Sequence, residues 1–388
     1  MKEINRKNSN DRRWNLKYLK EKYGSDESFI ASQLTDLDFP TPNFIFSQII
    51  RRCRFKSLSY IVLDDEYYQS IIKWYKIRKN VELKQEWINY CYGELLGIVA
   101  IIRQISHVGA KFVITSPVRS ALPKICTFNY REVIFNELQI KNNKFEFDFN
   151  ALNEQLRDPM VKAFLLCNPM NPGGKLWTVE ELTKIANICY QNNVILISDE
   201  SGGDLLTNAQ GFNSVLNLSD QKLFNNVIVC TTPSKGFNIG GLATGYFICP
   251  NQELRQKIYQ YYQKNWLYEG DIFGTEVTKA VYSAKGAKWI DKLHLIFQEN
   301  YKIIECFIRE NHLPLTIMAM PSSFATVILI NDDKKTLAFY KKRFFQEKLL
   351  VKFNDDFYDL KNKWFRLVLS CSNKTINEFL IRLKRIFK

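Results

Sequence analysis

Apolar and polar positions along this chain follow two periods. Short runs of β-branched and large apolar residues recur at Lys111–Ser116, Val161–Cys167, Asn193–Asp199, Val227–Thr231, Thr244–Cys249, Ser323–Ile330 and Trp364–Leu369. Their length and composition predict buried strands. Between them, apolar residues return every three or four positions, which predicts helices over Phe44–Arg52, Glu66–Arg78, Leu95–Ile105, Glu253–Trp266, Tyr282–Glu305 and Leu337–Leu349. Ile376, Phe379, Leu380 and Leu383 mark a terminal amphipathic helix. Thr178-Val179-Glu180-Glu181 has the form of a capping box, and Leu182, Ile185, Ala186 and Cys189 then share one helix face. That helix joins two strands as a βαβ unit. Phe145 to Leu156 reads as surface structure. The alternation predicts an α/β fold: residues 51–280 form a large domain with a mostly parallel sheet covered by helices. Residues 1–50 form an N-terminal arm and part of a smaller domain that 281–388 complete.

Composition narrows the class. A chain of 388 residues, 46% hydrophobic and 14% aromatic, supports a substantial core and excludes a disordered polymer. The net charge of +14 is spread among acids along helical faces and forms no long block, so no nucleic-acid partner is expected. The apolar run Leu95–Ile102 stops at Arg103, short of the roughly 18 residues a membrane span needs. The charged start, Met1 to Lys7, is unlike a secretory signal. Nine cysteines include no CxxC pair, and Cys126, Cys167, Cys230 and Cys249 lie in apolar runs; reduced thiols and a cytoplasmic location are expected. The three histidines lack ligand spacing, and no metal site is expected.

The candidate chemistry lies where strands end. Val227–Thr231 runs into Thr232-Pro233-Ser234 and presents Lys235. A lysine at the mouth of a buried strand is costly unless paired, shifted in pKa or covalently occupied, and its amine is the group that condenses with carbonyl cofactors. Upstream, one strand ends in Asp199-Glu200 and another in Asn168-Pro169-Met170-Asn171. Tyr92-Gly93-Glu94 opens an apolar helix, an anion-binding geometry that the Glu94 carboxylate opposes unless it points away.

In order and spacing, this series resembles the fold-type-I, pyridoxal-phosphate-dependent aminotransferase superfamily (class I/II). Gly174-Lys175-Leu176-Trp177-Thr178 and Ser234-Lys235-Gly236-Phe237-Asn238 resemble its cystathionine β-lyase, or cysteine-S-conjugate C–S lyase, branch. The likeness runs from Thr35-Asp36-Leu37-Asp38-Phe39 to Phe365-Arg366-Leu367. It implies a seven-stranded large-domain sheet, a homodimer and pyridoxal 5'-phosphate as cofactor. By the same resemblance Lys235 carries the cofactor and Asp199 faces its pyridine nitrogen. Asn171 bonds its 3′-oxygen. Gly93, Glu94 and Thr232 lie at its phosphate, and Tyr60 reaches the phosphate of the neighbouring subunit. Arg366 binds the substrate α-carboxylate, with Thr35 beside it.

Several positions depart from the pattern. Arg119 stands where the lyase branch has a tyrosine stacked on the pyridine ring; an arginine can also lie flat over a π-system. Gly202 replaces a tyrosine or histidine and is expected to leave space near the ring, and Gly173 replaces a threonine. Lys352 to Asp356 replaces a Pro-Gly turn. The activity implied is β-elimination from an amino acid, releasing a thiol, pyruvate and ammonia. Transamination of an amino acid with a keto acid shares the early chemistry and stays open. So does a catalytically degenerate homologue acting as a binding or scaffold protein.

Overall fold

Residues 1–6, 9–26, 28–207, 211–267, 269–319 and 323–387 are described by a computed structural model. Seven strands of the described chain build the large sheet: β1 (Ile88–Cys91), β2 (Lys111–Ser116), β3 (Glu132–Glu137), β4 (Val161–Cys167), β5 (Ile195–Asp199), β6 (Val227–Thr231) and β7 (Gly245–Ile248). Their spatial order is β1-β7-β6-β5-β4-β2-β3. Neighbours from β6 to β3 pair in parallel, while β7 runs antiparallel to both β6 and β1. The β1 strand therefore points the same way as β6.

Apolar runs on both strand faces are what a sheet covered on both sides requires. Phe164, Leu166, Leu196 and Val229 belong to one buried cluster, and Ala163, Leu165, Ile197 and Ile228 to the other. The period-2 alternation of side chains thus sends successive residues of one strand into opposite layers. The helix Glu94–Ile105 contributes Ile98, Ile101 and Ile102 to the second layer. The helix Val179–Gln191 contributes Leu182, Ile185 and Cys189 to the first, and its Thr178–Glu181 capping box is formed.

A second sheet is antiparallel, with strands β8 (Leu315–Ile317), β9 (Ala325–Ile330), β10 (Lys352–Phe353) and β11 (Trp364–Val368) in the order β8-β9-β11-β10. The terminal helix Asn373–Phe387 buries Ile376, Phe379, Leu380 and Leu383. The N-terminal arm is tied to this part of the chain. Ile30–Ala31 pairs in parallel with Leu349–Leu350, and Ser370 Oγ donates to the Asp36 carbonyl (2.9 Å).

Three expectations need correction. Phe145–Leu156 is not surface structure: Phe145, Phe147, Leu152 and Leu156 are buried, the last two on the helix Phe149–Leu156. The helix expected over Tyr282–Glu305 starts later, at Ala284, because Ser283 caps it by accepting from Gly286 N–H. It runs to Glu310. The helix expected to reach Leu349 ends at Gln346, and Lys348 takes a positive φ of 59° before the chain extends. A helix at Ala121–Phe128 and the edge strand β3 were not foreseen.

Candidate active site

The C-terminal ends of β1, β2, β4, β5 and β6 share one edge of the large sheet, the edge where α/β folds bind ligands. From it emerge Gly93 after β1, Arg119 after β2, Asn171 after β4, Asp199 at the end of β5, and Thr232 and Lys235 after β6.

Lys235 donates a hydrogen bond to Ser201 Oγ. Ser201 in turn gives both its hydroxyl and its N–H to Asp199 Oδ1, at 2.7 and 3.2 Å. Asp199 Oδ2 lies 2.6 Å from Arg119 Nη2, and Arg119 Nη1 donates to Glu94 Oε1 at 3.2 Å. One continuous chain of polar contacts thus joins Lys235, Ser201, Asp199, Arg119 and Glu94. Burial and the nearby Arg119 guanidinium lower the Lys235 pKa, an effect that Asp199 and Glu94 only partly offset. Burial alone pushes Asp199 up, but Arg119, Lys235 and the two Ser201 bonds outweigh it and hold the carboxyl below its usual range. For Arg119, the attraction of Asp199 and Glu94 outweighs the penalty of burial and raises its pKa.

Glu94 therefore meets the condition its position imposed: its carboxylate is turned to a cation. Arg119 is ion-paired with two carboxylates, and this pairing was not foreseen. Its Nε has no hydrogen-bond partner, and its Nη2 meets Asp199 as an ion pair without hydrogen-bond alignment. Gly93 has a φ of 104°, and a Cβ built on it would meet nothing within 4 Å, so the approach to the helix Glu94–Ile105 is open. Thr232 Oγ1 bonds Thr244 Oγ1 at 3.0 Å and accepts from Ser234 N–H at 3.1 Å. Asn238 follows with a φ of 57°; it donates to the Phe39 carbonyl (3.2 Å), and its own carbonyl accepts from Thr41 Oγ1 (2.9 Å). The arm thus clasps the lysine-bearing loop.

Arg366 comes from the other sheet. It is buried, gives Nη1 to Asn171 Oδ1 (3.0 Å) and Nη2 to the Gln33 carbonyl (2.8 Å), and leaves Nε bare. Burial and Arg13 lower its pKa to about 10 against the pull of Asp356, so it remains a cation at neutral pH. No carboxylate within ion-pair distance offsets it among the described residues.

Asn171, Asp199, Lys235, Arg119, Glu94 and Arg366 are thus linked within two groups by direct contacts. Thr35 is half-buried, and the residue of its segment that reaches Arg366 is Gln33. Tyr60 is not brought to the site in this chain: it is 89% exposed. Gly202 leaves no room near the site, because a Cβ there would stand 3.3 Å from Pro169 and 3.6 Å from Phe324. Sequence reasoning missed Ser201; its signal was an aspartate two residues earlier, a spacing at which the side chain turns back on the backbone.

A mostly parallel sheet whose strand ends gather a desolvated amine and an ionised carboxylate, faced by a buried arginine from a second sheet, defines an α/β fold with a small-molecule site. The sequence pattern described as aminotransferase class I and II matches residues 48–383, and the chain belongs to that family. It is 27% identical to the cystathionine beta-lyase PatB of Bacillus subtilis over 358 residues, 90% of each chain. It is 26% identical to the protein MalY of Escherichia coli over 289 residues, 74% of this chain and 73% of MalY. Among solved structures, a PLP-bound putative aminotransferase from Clostridium difficile superposes with a TM-score of 0.93 at 25% identity, covering 100% of this chain and 99% of the other. Cystalysin from Treponema denticola, which contains a pyridoxal 5'-phosphate cofactor, gives the same TM-score at 23% identity, over 100% and 98% of the two chains, and shows the shared fold.

Proposed function

We propose that this protein is a pyridoxal-phosphate-dependent enzyme acting on an amino acid, and that its reaction is β-elimination at a C–S bond. The observation that carries the reading is the Lys235–Ser201–Asp199 chain: a buried amine, its pKa lowered by burial and Arg119, fixed by a hydroxyl to a carboxylate. The donor set fits the cofactor. Lys235 supplies the amine, Asp199 the anion for a protonated ring nitrogen and Asn171 an amide for the ring oxygen. Thr232 would offer a phosphate its hydroxyl, and Gly93, whose own N–H goes to the Cys91 carbonyl (2.7 Å), opens the helix whose first N–H groups would face it. The Glu94 charge that opposes a phosphate is offset by Arg119. Bound there, the cofactor supplies an electron sink for charge developing at the substrate Cα.

The protein's own residues do the rest. Arg366 still has its Nε–H and further N–H groups free, enough to hold an α-carboxylate while keeping Asn171 and Gln33. Thr35 stands in the segment beside it. Lys235 Nζ, its pKa lowered, takes the Cα proton, and Ser201 keeps that amine oriented. Loss of the Cα proton and cleavage of Cβ–S release a thiol, and hydrolysis of the remainder gives pyruvate and ammonia. The relative PatB, a cystathionine beta-lyase, supports this assignment.

A second reading, transamination, is favoured by one observation: Arg119 stands in place of the ring-stacking tyrosine of the lyase branch. The domain boundaries near residues 50 and 280 and the homodimer, with Tyr60 reaching the neighbouring subunit, belong to the same proposal.

The test is an absorbance spectrum of the purified protein with added pyridoxal phosphate, beside Lys235→Ala. A visible band in the wild type and none in the variant is expected, followed by pyruvate release from cystathionine. No band in the wild type would overturn the enzyme reading. Amino transfer to a keto acid without pyruvate release would replace elimination by transamination.

A further inference from the structure

Arg366 does not face the site alone. In the antiparallel register Lys352 of β10 stands directly opposite Arg366 of β11, so both side chains leave the sheet on one face. Both reach the same ring: Arg366 Cζ lies 5.1 Å and Lys352 Nζ 5.8 Å from the centroid of Phe357. Like charges directly opposite in a strand pair repel unless an anion lies between them. Among the described residues, neither cation is ion-paired with a carboxylate. Asp356 is the acid that acts on both, yet its Oδ2 is committed to the Phe353 N–H at 3.0 Å. Lys22 of the arm helix Leu16–Tyr23 and Lys124 of the helix Ala121–Phe128 add positive potential around Lys352. Burial first, and Arg366 next, hold the Lys352 pKa below the usual lysine value, which is the mark of a cation without an adequate counter-charge.

We propose that Lys352 is a specificity residue, and that the substrate is an amino acid with a second anionic group, carboxylate or phosphate, beyond its Cβ. Arg366 holds the α-carboxylate and Lys352 the second anion, with Phe357 as the floor under both. The inference rests on the amino-acid reading of the site and names the class of amino acid.

The test titrates the cofactor-loaded protein with L-aspartate, L-glutamate, O-phospho-L-serine and the neutral L-2-aminobutyrate and L-norvaline. Binding is read from the change in visible absorption and from calorimetry. At least one dianionic amino acid should bind about tenfold or more tightly than its neutral counterpart, the gain from one charge-assisted contact. Lys352→Met should remove that preference and leave the neutral affinities unchanged; Lys352→Arg, which keeps the charge, should retain it. Preference for the acidic pair or for the phosphoserine tells carboxylate from phosphate. Equal affinities in the wild type, or a preference that survives in Lys352→Met and in Lys352→Gln, overturns the proposal and leaves the amino-acid reading standing. Failure of all five probes to bind overturns both.

Discussion

The Arg119 guanidinium stands 2.6 Å from the Asp199 carboxylate, and both side chains are nearly out of water. The same guanidinium holds Glu94. One cation therefore serves two acids at the end of the sheet, so Arg119 is part of what keeps this edge folded.

Removing Arg119 takes the ion-pair partner from Glu94 and leaves Asp199 with Ser201 and the nearby Lys235 alone. Breaking a buried ion pair from one side costs about 3–5 kcal/mol, because the remaining charge has no partner. Arg119→Leu should lose stability on that scale in urea unfolding, and adding Glu94→Gln to it should restore a measurable part. A loss in Arg119→Leu below about 1 kcal/mol, the scale of a surface pair, would show that the network carries no weight.

Lys235 should titrate below an ordinary lysine. Its folded-state value is lowered from 10.5, so the native chain binds fewer protons than the unfolded one as pH falls from 10.5 to the folded value. Through that window the wild type loses stability relative to Lys235→Met, and below it the difference is constant. Competitive acetylation of the cofactor-free protein across alkaline pH, read by mass spectrometry, should give Lys235 a lower midpoint than the exposed lysines. A midpoint at or above theirs would contradict the burial argument.

Arg366→Lys should bind substrate poorly and still turn over. A lysine loses the planar fork that can keep Asn171 and Gln33 while receiving a carboxylate. Loss of one charge-assisted hydrogen bond raises KM about 10- to 100-fold, with a smaller change in kcat. The readout is pyruvate release against substrate concentration. An unchanged KM removes the carboxylate role.

Gly202→Ala should destabilise even though its backbone φ is unremarkable. The new methyl meets Pro169 at 3.3 Å, so that ring must give way by a few tenths of an ångström, while Phe324 at 3.6 Å is in ordinary contact. Overpacking of this kind costs about 1–3 kcal/mol. The urea midpoint should fall with an unchanged m-value, and a neutral result would mean that Pro169 yields easily.

The strands that carry the site were legible because buried parallel strands read as continuous apolar runs. Asp199 and Lys235 stood out as charges at the ends of such runs. What spacing could not reveal was pairing across the chain. Arg366 and Asn171 are 195 positions apart, and nothing local to either names the other. Glu94 and Arg119 each looked foreign to a phosphate and ring site when read alone, and only the fold shows them neutralising one another. Pro123 sits in the first turn of the helix Ala121–Phe128, where its missing N–H breaks no bond. Phe145 and Phe147 alternate like a strand while Leu152 and Leu156 are spaced like a helix, so the short mixed segment showed neither period clearly.

The loop bearing Lys235 leaves β6 and returns in β7, its antiparallel neighbour, with Thr231 registered on Tyr246 and Thr232 bonded to Thr244 just beyond. Both of its ends are anchored in one ladder, so its amides should be among the slowest of the site's loops to exchange with solvent. Arg366 hangs from a different sheet and meets the Asn171 side chain through one hydrogen bond. The segment that precedes β11 is tied to the end of β2 as well: Ser116 Oγ donates to the Tyr358 carbonyl (2.7 Å) and Val118 N–H to the Phe357 carbonyl (2.9 Å). The amine and the guanidinium thus belong to different sheets, and shifting one sheet against the other has to break the bonds that Ser116, Val118 and Asn171 make across the seam.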